Sequence, residues 1–312
     1  MKRNLAALVA VAVVAAVLVV LPFLVSDYHT YLAAGVGVFF IAILGLNILT
    51  GYTGQISIGH GAFMAIGGYT SAVLSRDHNT NLILTMVIAF AFCFVAGLLF
   101  GLPALRLSGV YLALATFALA ISIPYLPLQW STYLGGTGGV PSSTTRGNLW
   151  LYGVAWATAA VLFALAWVVL RGRVGRAFRA VRDSEVAAVA SGVEIGIYKT
   201  LAWAISAAFC GVAGALYVMY LNGYAQPQEF GIDLSLSLLV GAAVAGLGSL
   251  WGIIVGAAFI GLLPTISTSV PIIGNTHGRD VVYGLLVIGV MLVLPGGFAS
   301  LLARLRSASI RA

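Results

Sequence analysis

The sequence has few charged residues: Asp, Glu, Lys and Arg make up 7% of its 312 residues, compared with about 25% in an ordinary soluble domain. A soluble fold of this length needs many more charges to cover its water-facing surface. The shortage therefore excludes an ordinary soluble protein. Since a nucleic-acid-binding face also needs exposed basic surface, the net charge of +7 does not indicate nucleic acid as a partner.

Most active-site patterns are also missing. Neither of the two lysines, Lys2 and Lys199, follows a glycine, so the sequence has no Gly-Lys-Ser/Thr loop for nucleotide phosphates. The four histidines are too far apart for a paired metal site, Gly-x-Ser-x-Gly is absent and no carboxylates cluster. Cys93 and Cys210 lie in apolar runs and are expected to pack as small hydrophobic side chains. We therefore predict no catalytic residue, no metal site and no cofactor bound by this chain, which is then not an enzyme.

Apolar residues dominate instead, at 61% of the chain, and they form ten runs that approach the roughly 20 residues a helix needs to cross a bilayer. The runs are residues 5–25, 31–49, 61–75, 82–102, 109–128, 149–170, 200–220, 234–249, 251–266 and 281–298. The third, eighth and ninth are short, which favours broken helices or helices buried in protein. The first is longer than the apolar core of a signal peptide, so we predict a retained span. The predicted fold is an all-α integral membrane protein of about ten transmembrane helices, in a single domain over residues 1–312.

The basic residues predict which loops face the cytoplasm, because Lys and Arg are retained on that side of a membrane. With ten spans and both termini inside, twelve of the fifteen basic residues are cytoplasmic. They are Lys2, Arg3, Arg106, Arg171, Arg173, Arg176, Arg179, Arg182, Lys199, Arg304, Arg306 and Arg311. An even count also divides into inverted halves of five spans, which are common in transporters, and GYTGQ at 51–55 and GYAQPQ at 223–228 give a faint internal echo. Every acidic residue lies in a loop or at a span end, which argues against an ion-coupled carrier.

Residues 51–68, GYTGQISIGHGAFMAIGG, combine six glycines with the polar side chains Gln55, Ser57 and His60 beside a span. Irregular backbone at membrane depth is tolerated only inside protein or along a water-filled cavity. We predict that Gln55, Ser57 and His60 border a translocation path. The alternative is close helix packing through small residues, with Gln55 and His60 hydrogen-bonded in the interior, and for His60 alone that alternative is favoured.

The loop at 171–199 carries arginines at every third position, Arg173, Arg176, Arg179 and Arg182, which predicts a helix with one basic stripe. Asp183 and Glu185 lie within reach of that stripe and are expected to pair with Arg179 and Arg182. Gly192 is expected to end the helix in the left-handed conformation. A compact knob of this kind suits docking to a cytoplasmic partner. The alternative is a purely topological role, in which the arginines hold the loop inside and contact anionic lipid.

The later spans are rich in small residues. Gly248, Gly252 and Gly256 recur at every fourth position, a spacing that lets helix backbones approach closely. These glycines serve either a homologous partner or the packing of this subunit itself.

Four blocks, taken together, resemble the permease subunits of branched-chain amino acid ABC importers of the LivM type. They are GYTGQISIGHGAFMAIGGY at 51–69, GLPALRLSGVYLALATFALA at 101–120, the stretch from Gly175 to Leu216, and GLGSLWGIIVGAAF at 246–259. The blocks stand in the family's order. The resemblance implies a multi-pass protein of a prokaryotic inner membrane that pairs with a second permease and two ATPase subunits, which use ATP and Mg²⁺. A periplasmic binding protein then delivers leucine, isoleucine or valine.

The resemblance also implies that residues 171–199 are the loop that couples to the ATPases, involving Arg176, Arg179, Arg182, Asp183, Glu185 and Gly192. The wider superfamily marks its coupling helix by Glu-Ala-Ala followed by a glycine. Glu185, Ala187, Ala188 and Gly192 match that spacing imperfectly, because Val186 is inserted. The alternatives are another cargo in the same family, such as urea, short amides or other amino acids, and a stand-alone facilitator or channel. A membrane-embedded enzyme is more remote.

Overall fold

The computed structural model describes residues 18, 20–78, 80–142, 147–221 and 223–268, together with 284–285, 288–289, 292 and 297–298. The first and tenth predicted spans, residues 5–25 and 281–298, therefore lie largely outside the described residues.

Almost all of the described chain is helical, which confirms the all-α prediction. The helices are α1 (Asp27–Leu46), α2 (His60–His78), α3 (Leu82–Ala104), α4 (Gly109–Gln129), α5 (Ser131–Leu134), α6 (Asn148–Arg171), α7 (Arg173–Asp183), α8 (Glu185–Ala190), α9 (Ile195–Tyr220), α10 (Ile232–Ala245) and α11 (Ile253–Thr268). Two short strands, β1 (Val140–Pro141) and β2 (Tyr224–Ala225), pair antiparallel, with Val140 opposite Ala225.

Six segments of the described chain are long and apolar enough to cross a membrane. They are Asp27–Gly51, Leu82–Ala104, Gly109–Gln129, Asn148–Arg171, Ile195–Tyr220 and Pro227–Ala245. Helices α1 and α9 are buried along most of their length and pack against each other at the centre of the bundle. Helices α3, α4 and α6 surround them and turn apolar side chains outward, as lipid-facing helices do. The chain is thus a multi-pass membrane protein.

Small residues set the distance between the central helices. A side chain on Gly67 of α2 would overlap the backbone of Gly211 in α9, and one on Gly214 would overlap the backbone of Met64. The two helices therefore approach to backbone contact, which only glycine allows at these positions. Cys93 of α3 fits beside Gly211 and its thiol donates to the carbonyl oxygen of Phe63 at 3.5 Å. It packs as the small side chain that was predicted.

Polar connections gather at the two ends of the bundle. At one end, two hydrogen bonds join three segments. Arg182 of α7 bonds to Gly51, just after α1, and Asn47 bonds to Gly248 in the loop between α10 and α11. At the opposite end, β1 and β2 pair, and the backbone N–H of Ser142 donates to the carbonyl of Gly223 at 2.6 Å. The hydroxyl of Tyr31 donates to the carbonyl of Tyr220 at 3.2 Å.

The predicted spans at 82–102, 109–128 and 149–170 agree with α3, α4 and α6 to within a few residues. Several other boundaries were wrong, among them the start of the second predicted span, because α1 begins at Asp27 rather than at residue 31. Helix α2 reaches His78 rather than residue 75, and α9 begins at Ile195 rather than residue 200, because both continue through polar residues that are satisfied at the bundle ends. Helix α10 stops at Ala245 rather than residue 249, because Gly246 adopts a φ of 89° that a helix does not permit.

Candidate translocation segment and coupling surface

Residues 54–59 cross from the end of α1 to the start of α2 without helical structure. Helix α1 is followed by a π-helical turn, Asn47–Gly51, and α2 begins only at His60. In the connecting segment Gln55 and Ser57 are buried, whereas Ile56 is 47% exposed. This alternation is the two-residue period of an extended chain, which sends successive side chains to opposite sides. The segment therefore has a polar inner side and an apolar outer side.

His60 is the centre of a buried hydrogen-bond network on the inner side. Its Nδ1 lies 2.9 Å from Ser57 Oγ and its Nε2 lies 2.6 Å from Ser206 Oγ. The Ser206 hydroxyl donates its proton to the carbonyl of Gly45 at 2.7 Å, so it accepts from Nε2–H. Nδ1 of the neutral ring is then the acceptor for the Ser57 hydroxyl. The network joins the start of α2 to both central helices.

Gln55 is fixed in the same interior. Its Oε1 accepts from the indole N–H of Trp203 at 2.9 Å, and its Nε2 donates to Thr53 Oγ1 at 3.1 Å. The ring of Trp203 stacks beside the His60 ring, with 6.2 Å between centroids. The structure thus brings Gln55, Ser57 and His60 together. Gln55 and His60 thus have the interior hydrogen bonds that were predicted from the sequence as the alternative.

Two partners of this network were not predicted. Ser206 lies in the middle of α9, and Thr116 of α4 accepts from the backbone N–H of Ile58 at 3.0 Å. Each is a lone hydroxyl in an apolar run, and that was the only signal in the sequence. A third serine, Ser235 of α10, accepts from the backbone N–H of Gly61 at 3.0 Å and satisfies the first turn of α2.

Replacing Ser206 by alanine is expected to destabilise the bundle by about 1–3 kcal/mol, because it leaves His60 Nε2–H buried without the Ser206 acceptor and removes the hydroxyl that bonds to the Gly45 carbonyl. Thermal unfolding in mild detergent measures the effect. Thr70→Val is the matched control, since the Thr70 hydroxyl bonds to the carbonyl of Ile66 within its own helix. Equal melting temperatures for the two variants would contradict the role given to the network.

The loop at 171–199 folds as two short helices against the bundle. In α7, Phe178 and Val181 are buried, while Arg173 and Arg176 are exposed on the other face. Arg182, at the end of α7, is partly exposed and its guanidinium reaches the carbonyl of Gly51. Arg179 is partly buried and donates to the carbonyl of Leu170 at 3.2 Å. The predicted basic helix is therefore present, anchored by an apolar face.

One predicted pairing in this loop was wrong. Asp183 pairs with Arg182 at 3.1 Å, as expected, but Glu185 pairs with Lys199 at 2.7 Å instead of with Arg179 or Arg182. The reason is the extended backbone of Ser184, which ends α7 and turns α8 toward the start of α9. Glu185 and Lys199 therefore tie α8 to a central helix.

Helix α8 is capped at both ends. The Ser184 hydroxyl accepts from the backbone N–H of Ala187 at 3.3 Å at its start. At its end, Gly192 has the predicted left-handed conformation, with a φ of 81°, and the N–H of Val193 donates to the carbonyl of Ala188 at 2.9 Å. Between the caps, α8 exposes apolar side chains to solvent: Val186 is 82% exposed and Val189 is 58% exposed. Helix α8 is thus capped at both ends and presents an apolar tip, Val186 and Val189.

The three glycines at four-residue spacing do not form one helical face. Gly248 precedes α11 and has a φ of 81°, and Gly252 also lies before the first residue of α11. A side chain on Gly252 would overlap the backbone of Ala245, and one on Gly256 would overlap the backbone of Gly241. The contacts of Gly252 and Gly256 thus lie within the subunit, between α10 and the chain that leads into and begins α11.

Charged groups of the described chain lie mainly near the bundle ends. Arg76 and Asp77 form an ion pair of 2.6 Å in the last turn of α2. Lys199 is buried, and its charge is paired with Glu185. In the part of the chain that the structure describes, no three His, Cys, Asp or Glu side chains lie close enough to hold a metal ion.

Comparison with known proteins gives one family. The family model described as "Branched-chain amino acid transport system / permease component" matches residues 28–294. The permease protein LivM of the high-affinity branched-chain amino acid transport system of Salmonella typhimurium is 31% identical over 270 residues, which are 77% of this chain. LivM of Escherichia coli is 30% identical over the same length. The chain spans 63% of the length of each of these LivM proteins.

The permease protein LivH of Salmonella typhimurium is 25% identical over 281 residues, which cover 81% of this chain and 88% of LivH. No solved structure gives a significant match. The matched region of the family model includes the segment at 54–59, the helices α7 and α8, and the α10–α11 loop. The chain belongs to the family of permease components of branched-chain amino acid transport systems.

Proposed function

We propose that the chain is a membrane-spanning permease subunit of an ATP-driven importer that carries leucine, isoleucine or valine. Membership of the family and the similarity to two LivM proteins support this cargo. The remaining components of the importer are a second, homologous permease, two ATPase subunits that use ATP and Mg²⁺, and a periplasmic binding protein. In this account the chain itself performs no catalysis.

The observation that carries the proposal is the exposed tip of α8. A solvent-facing pair of valines on a short helix suits a hydrophobic groove on a partner. Caps at both ends and the Lys199–Glu185 ion pair hold the helix in place, so that movement of a docked partner is transmitted to the bundle. We assign residues 171–199 as the coupling loop. The residues that we propose to take part in coupling are Arg176, Arg179, Arg182, Asp183, Glu185 and Gly192.

The proposed architecture is a single permease domain of ten spans in two inverted halves of five. Helices α10 and α11 begin 172 and 171 residues after α2 and α3, and Gly223 follows Gly51 by 172 residues. Packing has the same symmetry: α9 packs against α2 and α3, whereas α1 packs against α10 and α11. Two halves related in this way suit alternating access by rocking about a central path.

We place the end of the bundle that carries α7 and α8 in the cytoplasm of a prokaryotic cell, together with both termini. The described basic residues support this orientation, because those of α7 and Lys199 gather at that end while Arg76 lies in the last turn of α2, which is connected to the opposite end through β1. The membrane is then the inner membrane.

We propose that residues 54–59 border the translocation path. Ile56, with Ile58 beside it, is the side chain that faces the path, and the second permease forms the opposite wall. Gln55, Ser57 and His60 support that wall from behind, since their hydrogen bonds fix the extended backbone to α9. A rigid wall of this kind lets small movements of the halves open or close the path.

Reconstitution of the purified complex in liposomes, with the binding protein outside and ATP inside, tests the function. We expect ATP-dependent accumulation of radiolabelled leucine, with no accumulation when ATP is replaced by ADP. Accumulation of urea or another amino acid in place of leucine would change the cargo. Leucine entry that is equal with ATP and ADP would instead indicate a facilitator.

A further inference from the structure

Asn47 holds the loop between α10 and α11 from the π-helical turn of α1. Its side chain is fully buried, its Nδ2 donates to the carbonyl of Ser249 at 2.9 Å, and its Oδ1 accepts from the N–H of Gly248 at 2.8 Å. One amide thus satisfies two backbone groups of the loop. A side chain on Gly51 would overlap both the Asn47 amide oxygen and the Gly248 nitrogen, so the contact needs glycine at that position.

Arg182 of α7 reaches the same place from the coupling loop. Its Nη1 donates to the carbonyl of Gly51 at 3.0 Å, and its Nε donates to Asp183 Oδ1 at 3.1 Å. The side chain runs between two glycines: its Cγ lies 3.1 Å from the point where a Cβ of Gly54 would be, and its Nη1 lies 3.1 Å from that point of Gly248. Both glycines have positive φ. The guanidinium therefore occupies space that larger residues would fill.

These contacts bring one side chain of the coupling loop against both halves of the fold. Gly54 begins the segment at 54–59, which lies between the second and third predicted spans. Gly248 lies in the α10–α11 loop, between the eighth and ninth. Arg182 bonds to Gly51, and Gly51 lies against Gly248 of the α10–α11 loop, which Asn47 also holds. A displacement of α7 therefore acts on both halves at this point.

We propose that Arg182 and Asn47 are positioning residues that carry movement of α7 to the segment at 54–59 and to the α10–α11 loop. This inference rests on the proposed function, because it names how the coupling loop acts on the path. Arg182 supplies the link to α7, Asp183 orients its guanidinium, and Asn47 keeps the α10–α11 loop in register with Gly51. The π-helical turn provides the carbonyl that Arg182 uses.

Hydrogen exchange, followed by mass spectrometry on the full chain in nanodiscs, tests the physical link without any transport. In Arg182→Gln we expect the amides of residues 246–252 to exchange roughly tenfold faster than in the unchanged protein, as loss of one charged hydrogen bond predicts. Arg173→Gln removes the same charge from an exposed position of the same helix and is expected to leave exchange unchanged. Equal exchange in the two variants would overturn the inference.

Transport by the assembled complex tests the consequence. We expect Arg182→Gln to keep ATP hydrolysis but to lower leucine uptake per ATP by about tenfold, with partial recovery in Arg182→Lys, which retains one donor for the Gly51 carbonyl. Uptake per ATP equal to that of Arg173→Gln would overturn the inference while the importer function stands. If the unchanged complex carries no amino acid, the proposed function fails, and the exchange measurement alone decides whether Arg182 links the segments.

Discussion

Replacing Gly192 by proline is expected to abolish amino acid uptake while the chain still inserts into the membrane. Gly192 has a φ of 81°, and its N–H donates to the carbonyl of Val189 at 2.9 Å. Proline fixes φ near −65° and has no N–H, so the end of α8 cannot form, at a local cost of roughly 3 kcal/mol or more. The tip of α8 then loses its fixed position. Uptake by reconstituted vesicles, normalised to the amount of inserted protein, measures the result.

Gly192→Ala is the matched comparison. A Cβ at this position meets no other atom within 4 Å, so alanine suffers only the cost of the left-handed conformation, about 1–2 kcal/mol. It also keeps the N–H. We expect uptake to be reduced in this variant rather than abolished. Normal uptake in Gly192→Pro would remove α8 from the coupling mechanism.

Replacing Val186 by aspartate is expected to separate the ATPase subunits from the permease. The side chain is 82% exposed, so the change leaves folding of the chain nearly unaltered. In a docked complex, however, it loses the roughly 1.5–3 kcal/mol gained by burying valine and places a charge in an apolar groove. Together these effects predict at least a tenfold loss of co-purified ATPase.

Val186→Ile keeps an apolar side chain at the same position and is expected to retain the ATPases. Melting temperatures of both variants in detergent show that the chain itself is intact. The docking assignment is contradicted if Val186→Asp recovers as much ATPase as Val186→Ile. In that case the topological role of the loop, which the basic residues alone also explain, would be the better account.

The peripheral helices were predictable because their boundaries coincide with changes of composition. The apolar runs that became α3, α4 and α6 are interrupted by glycine, proline or arginine close to the observed ends. The boundaries of the central helices were harder to predict. Helix α9 begins at Ile195, before Lys199, and a lysine there ends an apolar run in the sequence although Glu185 neutralises it in the fold. A partner distant in sequence thus decides the boundary.

The irregular segment between α1 and α2 was predictable in position but not in detail. The glycine-rich composition of residues 51–68 indicated irregular backbone, and residues 54–59 are indeed non-helical. Which side chains face inward depends on the extended conformation, because its two-residue alternation buries Gln55 and Ser57 and exposes Ile56. The network partners Ser206 and Trp203 come from α9, almost 150 residues away in the chain. No local pattern could identify them.

The loop at 171–199 shows the same division between what local rules predict and what distant contacts decide. Its basic helix and its glycine stop follow local rules of helix formation, and both are present. The pairing of Glu185 was wrong because Ser184 interrupts the helix, so that residues three or four apart no longer share a face. The contact of Arg182 with Gly51 joins residues 131 apart in sequence and depends on the π-helical turn.

The central claim is that the chain works only as part of an ATP-driven assembly, and one purification tests it most directly. The tagged chain is isolated from its native membrane in mild detergent, the accompanying proteins are identified, and ATP hydrolysis of the sample is measured. The account predicts a second, homologous permease, P-loop ATPase subunits and hydrolysis of ATP. A chain that is isolated alone in every mild detergent, without ATP hydrolysis, would contradict it and favour a stand-alone facilitator.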